Sequence, residues 1–185
     1  MFTREEIIAA ALNLTRKGGI SALTARALGV ELGSSSRPIF GLFKNMEEVQ
    51  QEVFRAADAL YQSYLKEGME SGKYPPYKAV GMVYIRFAGE EKELFKLLFM
   101  HDRTQGNMEE IQEAVKPFVE ILQQKLGLNE EDAYLFHLEM WMYVHGIAAT
   151  IATSYLEWDG EHISRMLTDG YEGIKSRYER RVNEP

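Results

Sequence analysis

Ser36 and Arg37 stand at the head of a short segment anchored by Ile39 and Phe43, four residues apart. An arginine there presents a planar fork of N–H donors that can bond guanine bidentately, so the pair is suited to reading base edges. Around it lie Arg26 and Lys44, cations for phosphate, and Thr24 and Ser35, whose hydroxyls either reach phosphate or only cap helices. Pro38 and Phe40 complete this candidate nucleic-acid-binding set. Pro38 suits a first helical turn but biases Arg37 away from helical geometry, which predicts a helix beginning a residue or two late.

These groups need two short helices and a tight turn. Thr24 to Val49 reads TARALGVELGSSSRPIFGLFKNMEEV. Ala25, Leu28, Gly29 and Leu32 recur at helical spacing behind Thr24 as N-cap. Gly33 is placed to close that helix in the left-handed conformation, and Ser34, Ser35 and Ser36 offer hydroxyls to cap the next, which Ile39 and Phe43 anchor. Upstream, Thr3 with Glu6 forms a capping box and Phe2 with Ile7 a hydrophobic staple, so a first helix carrying Ile7, Ala11 and Leu14 runs to Gly18 and Gly19. Three helices with this turn make a helix-turn-helix head, and such a head points the start of its last helix into the major groove.

At AAALNLTRKGG, Thr24 onward, Gly33-Ser34-Ser35, Ile39-Phe40-Gly41-Leu42-Phe43 and Met46-Glu47 the sequence resembles the TetR family of bacterial repressors, along the whole chain. The resemblance implies a DNA-reading domain over 1–47 and an effector-binding and dimerisation domain over 48–185. Two positions depart from the family pattern. Phe40 replaces a tyrosine whose hydroxyl reaches a phosphate, and Met46 replaces a phosphate-binding lysine.

The chain has 185 residues, 45% of them hydrophobic, enough to bury a sizeable core. Proline is scarce and no window alternates with β-branched residues, so the fold class is all-α, with about nine helices. There is no cysteine, which rules out disulfides and thiolate chemistry and fits a reducing cytoplasm. Without a signal peptide or a long apolar run, a cytoplasmic protein is expected, on the nucleoid when bound to DNA, with no membrane partner. A net charge of −7 opposes nucleic-acid binding only when read over the whole chain. Residues 1–50 hold Arg4, Arg16, Lys17, Arg26, Arg37 and Lys44 against Glu5, Glu6, Glu31, Glu47 and Glu48, a balance of +1, so the rest carries −8.

In the body, Asn45 with Glu48 caps a long fourth helix, striped by Val49, Val53, Ala57 and Leu60 and running out near Gly68. Gly72 to Pro76 breaks the chain. Helix five follows Ala79, Val80 and Val83, and helix six Leu94, Leu97 and Leu98. After the polar loop DRTQGN, helix seven follows Ile111, Val115, Phe118 and Leu122, with Pro117 expected to kink it. Asn129 with Asp132 caps helix eight, apolar nearly all round from Ala133 to Tyr155. Helix nine has one clean stripe of Ile163, Met166, Leu167, Gly170, Tyr171, Ile174 and Tyr178.

Trp141-x-x-x-His145-Gly146 is similar to a signature of one TetR subgroup whose last two helices form a dimerising bundle. Gly146, Ala149 and Ala152 permit close helix approach, and with the ninth-helix stripe (Ile163, Met166, Leu167, Gly170, Tyr171, Ile174) they form the expected homodimer interface. Two-fold symmetry would set two reading helices roughly 34 Å apart, to match a palindromic double-stranded operator. His137, Trp141 and His145 recur every four residues, either as ligand contacts or as core rings bonded to backbone. Tyr61, Tyr64, Tyr84, Phe87, Phe99, Met100 and Met140 either fill the core or, with those three, surround a small, mainly apolar effector.

No metal site and no cofactor are expected, since the histidines lack ligand spacing and cysteine partners. An enzyme would need a nucleophile with its base, paired carboxylates or a phosphate loop, and none is present. The remaining alternative is a helical adaptor or ligand-binding protein with weakened DNA binding, motivated by Phe40, Met46 and the weakly charged head.

Overall fold

The computed structural model describes residues 2–100, 108–157 and 159–183, with side chains for 2–100, 113–157 and 159–180. The loop DRTQGN and the Ile111 side chain lie outside the described residues. Nine α-helices and no strand are present among the described residues: α1 (Arg4–Gly18), α2 (Ala25–Glu31), α3 (Arg37–Leu42), α4 (Met46–Glu70), α5 (Pro76–Glu90), α6 (Lys92–Phe99), α7 (Met108–Leu126), α8 (Glu130–Ala152) and α9 (Gly160–Asn183). The all-α reading holds. A 3₁₀ turn, Ile20–Ala22, joins α1 to α2 and has no periodic signal in sequence.

Local capping explains where most helices start. Thr3 Oγ1 accepts from Glu6 N while Glu6 Oε2 accepts from Thr3 N, so both halves of the capping box are made. Thr24 Oγ1 accepts from Ala27 N, Asn45 Oδ1 from Glu48 N and Asn129 Oδ1 from Asp132 N, each satisfying a first-turn amide. Asp159 does the same for α9 by accepting from the Glu161 and His162 amides. Its carboxyl is held below the ordinary range, first by the His162 amide and then by the His162 ring.

Two helix ends differ from expectation. α4 runs two residues beyond Gly68. That glycine is a packing point, since a Cβ there would come within 2.2 Å of Val83 Cγ2 on α5. α3 ends at Leu42, and Phe43 turns extended (φ −127°, ψ 141°) while its ring stays buried in the core.

The chain divides into two compact units, Met1–Lys66 with Phe87–His101, and Glu67–Arg86 with Asp102–Pro185. In the first, Ile7, Ala11, Leu23, Leu28, Ile39, Phe43, Val49 and Val53 form one core, and Leu97 of α6 packs against it. α6 lies on α1, and Arg16 Nε is 2.7 Å from Glu91 Oε2 at the α5–α6 junction. In the second unit Val119, Leu122, Leu128, Ala133, Phe136, Met140 and Tyr178 close a core between α7, α8 and α9.

Candidate functional site

The turn between α2 and α3 is set by backbone contact. Ser34 N donates to Gly29 O at 2.8 Å, and Gly33 adopts φ 63°, the left-handed conformation that glycine takes without steric cost. A Cβ on Gly29 would lie 3.0 Å from Ser34 O and 3.1 Å from both Ser35 C and Ser36 N. These neighbours are backbone and cannot rotate away. Gly29→Ala is therefore expected to destabilise the first unit by about 1–3 kcal/mol, the usual range for overpacking, and to misplace α3. Urea unfolding followed by helical ellipticity measures it; an unchanged midpoint would show that the turn can open without loss.

Ser36 occupies the N-cap position of α3 but makes no side-chain cap bond, and Ser35 Oγ instead accepts from Arg37 N at 3.4 Å. The helix nonetheless begins at Arg37, without the delay expected from Pro38. Thr24, Arg26, Ser35, Arg37, Phe40 and Lys44 are exposed, while Ser36 and Pro38 are half-buried. All eight predicted residues lie between the start of α2 and the loop after α3. Two further exposed apolar groups, Val30 and Leu42, flank them.

Sequence reading missed how the other head cations are used. Arg4 donates to Leu42 O at the end of α3, to Glu48 Oε1 and to Glu52 Oε1, at 2.9, 2.8 and 3.0 Å, with its guanidinium 4.2 Å from the Phe43 ring centroid. It clamps α1, α3 and α4 together. The Glu48 carboxyl is pulled below its ordinary range, first by the Lys44 amide and next by Arg4. Arg16 is spent on Glu91, and Lys17 on Glu31 at 3.2 Å. Among the described residues Arg26, Arg37 and Lys44 make no side-chain ion pair, and they are the three cations the sequence assigned to DNA.

The predicted effector residues fall into both units. In the first, Tyr61 packs edge-on to Phe87 and Phe99, with centroids 5.2 and 5.0 Å apart, and Tyr64 packs edge-on to Phe87 at 5.2 Å. Tyr64 O–H donates to Glu90 Oε2 at 2.8 Å, and Met100 is exposed. Burial pushes the Tyr61 phenol up.

In the second unit two Tyr–His pairs link α5 to α8. Tyr77 Oη is 3.1 Å from His137 Nδ1, and Tyr84 Oη is 2.9 Å from His145 Nδ1. Both rings therefore bond phenols, where sequence reading offered backbone. The His137 ring stacks on Phe118 (4.8 Å, 3°), and burial lowers its pKa to about 4, so it is neutral at pH 7. Since burial also pushes the Tyr77 phenol up, the bond is assigned as Tyr77 O–H to Nδ1, with the ring proton on Nε2. Trp141 stacks on His145 (5.0 Å, 13°) yet is 45% exposed, and Met140 is buried.

Of the predicted interface residues, Ile163 and Leu167 are buried within the chain, Tyr171 sits 5.3 Å from Phe136, and a Cβ on Gly170 would be 3.0 Å from Tyr143. Ala152 is also buried, whereas Ala149, Met166 and Ile174 are half-buried. Gly146 is exposed, and a Cβ there would meet nothing within 4 Å. With Leu135 and Met142 it forms a largely apolar stripe along the outer side of α8, which Glu139 interrupts. Sequence reading named Gly146 for the interface but not Leu135 or Met142, because α8 is apolar nearly all round.

Residues 77–170 match the tetracyclin repressor-like C-terminal domain family. The chain belongs to the tetracyclin repressor-like (TetR) family. Solved structures with the same fold include a TetR-like transcriptional regulator from Rhodococcus sp. RHA1 (TM-score 0.65, 14% identity, covering 96% of this chain and 97% of that one). Another is a putative transcriptional regulator of the TetR family from Vibrio parahaemolyticus (TM-score 0.62, 16% identity, covering 92% and 97%). No curated protein matches the sequence. TetR-family proteins are transcription regulators that bind DNA and small-molecule effectors as dimers, and they are generally not enzymes. Among the described residues of this TetR-family chain, no helix is long and apolar enough to cross a membrane.

Proposed function

We propose that this TetR-family chain is a transcriptional repressor that binds a palindromic operator as a homodimer and leaves it when a small, mainly apolar effector binds the body. Residues 1–47 read the DNA, and residues 48–185 carry effector binding and dimerisation. One observation carries the reading: of six cations in the first fifty residues, Arg4, Arg16 and Lys17 are held by the chain's own acids, while Arg26, Arg37 and Lys44 make no side-chain ion pair among the described residues. Cations of this second kind are the ones whose charge is available to displace counterions from phosphate. The aromatic and methionine side chains within each unit suit an apolar effector. To lower operator affinity tenfold, such an effector must favour the DNA-incompetent state by about 1.4 kcal/mol.

Selection from a random-sequence duplex library by the full-length protein tests the reading. A palindromic consensus is expected, and Arg37→Ala should weaken binding to it by about 1–3 kcal/mol while changing affinity for random duplex much less. Equal losses on both would move Arg37 to a phosphate role. Recovery of no consensus would point to an adaptor.

A further inference from the structure

The outward side of α3 holds two residues that its own fold does not use. Viewed down the helix from the buried Ile39, Arg37 and Gly41 lie on the opposite side and Phe40 about a quarter turn round. Ile39 and Phe43 already supply the core contacts, and Phe40 is left 49% exposed. Gly41 is stranger. Glycine is the poorest helix former after proline, yet Gly41 does not have a positive φ, and a Cβ on it would meet no atom within 4 Å. Neither backbone conformation nor packing requires it.

An exposed ring beside a bare stretch of helix backbone suits a partner that approaches closely and offers an apolar spot. Arg37 on this side, with the exposed Arg26 and Lys44 on the neighbouring α2 and the loop after α3, makes no side-chain ion pair among the described residues, and such cations favour a polyanion. In the major groove the apolar feature is the 5-methyl group of thymine. We infer that Phe40 packs on a thymine methyl in each operator half-site, beside the base pair that Arg37 reads, and that Gly41 lets α3 approach close enough for the contact. Arg37 and Phe40 are separated by about 4.5 Å of helix rise, comparable with the roughly 3.4 Å between neighbouring base pairs. The inference rests on operator binding as proposed above.

The test uses the full-length protein and the duplex recovered by library selection. Thymines of one half-site are replaced singly by deoxyuridine, which removes the methyl and keeps Watson–Crick pairing. At one thymine the replacement should weaken the unmodified protein about fourfold, the worth of one buried methyl, and leave Phe40→Ala unaffected. Gly41→Ala should raise the thermal midpoint yet weaken binding to the selected duplex more than to random duplex. Three results overturn the inference while leaving operator binding intact: no thymine beside the base pair whose selection Arg37→Ala relaxes, no deoxyuridine effect at any position, or equal effects in the unmodified protein and Phe40→Ala. Failure to select any sequence would overturn operator binding itself, and this contact with it.

Discussion

Gly146→Arg should leave a folded monomer that has lost operator binding. A Cβ at this position would meet nothing within 4 Å, and arginine is a better helix former than glycine, so the monomer gains slightly in helix stability. In a two-fold dimer built on the outer side of α8 the same change acts twice, placing two bulky like charges beside Leu135 and Met142. Each costs several kcal/mol if kept dry, enough to split a dimer. Once split, the two heads no longer bind as a linked pair, and apparent operator affinity should fall by about 10²- to 10⁴-fold. Sedimentation velocity and operator titration read the two effects, and circular dichroism checks the fold. A variant that remains dimeric would move the interface off this stripe.

Acid should destabilise the second unit through His137. The folded ring has a pKa of about 4, lowered by burial, against an ordinary value near 6.5. Between these values the unfolded chain takes up a proton that the folded chain refuses, so stability falls as pH drops from about 6.5 to about 4 and this loss levels off below. A shift of that size corresponds to about 3 kcal/mol. The structural reason is direct: a protonated Nδ1 can no longer accept from the Tyr77 hydroxyl, and the charge would be held against Phe118. Urea unfolding at pH 7 and pH 5 should show a clear drop for the unmodified protein and a smaller one for His137→Phe. Equal drops would assign the acid sensitivity to other groups.

The features legible in sequence are those decided within a turn or two of helix. Thr3 with Glu6, Thr24, Asn45 with Glu48 and Asn129 with Asp132 all act across three residues, so type and spacing suffice. The same locality made the α2–α3 turn readable, and the residues proposed for DNA contact are grouped around it. What escaped depends on distant partners. Nothing near Arg4 announces Leu42, Glu48 and Glu52, and nothing near Arg16 announces Glu91, 75 residues on. α8 illustrates a second limit. A helix apolar on every side has no contrast from which to tell the face turned to its own core from the face left open. Gly41 shows a third, since only exposure and open space mark it as a residue its own fold does not require.

The first compact unit is made of two separate stretches of chain, with residues 67–86 inserted between them. Grafting residues 1–47 onto a foreign sensor would therefore carry α1 away from the helix that covers it, leaving Arg16 without Glu91 and the core without Leu97. Hybrid regulators built from this chain need residues 87–101 to travel with the head, which takes three splice points where a modular head would take one. By the same geometry, a single crossover that moves this unit intact also takes residues 67–86 from the second unit, so new pairings of operator and effector are reached more readily by point substitutions on α3 and in the body than by shuffling.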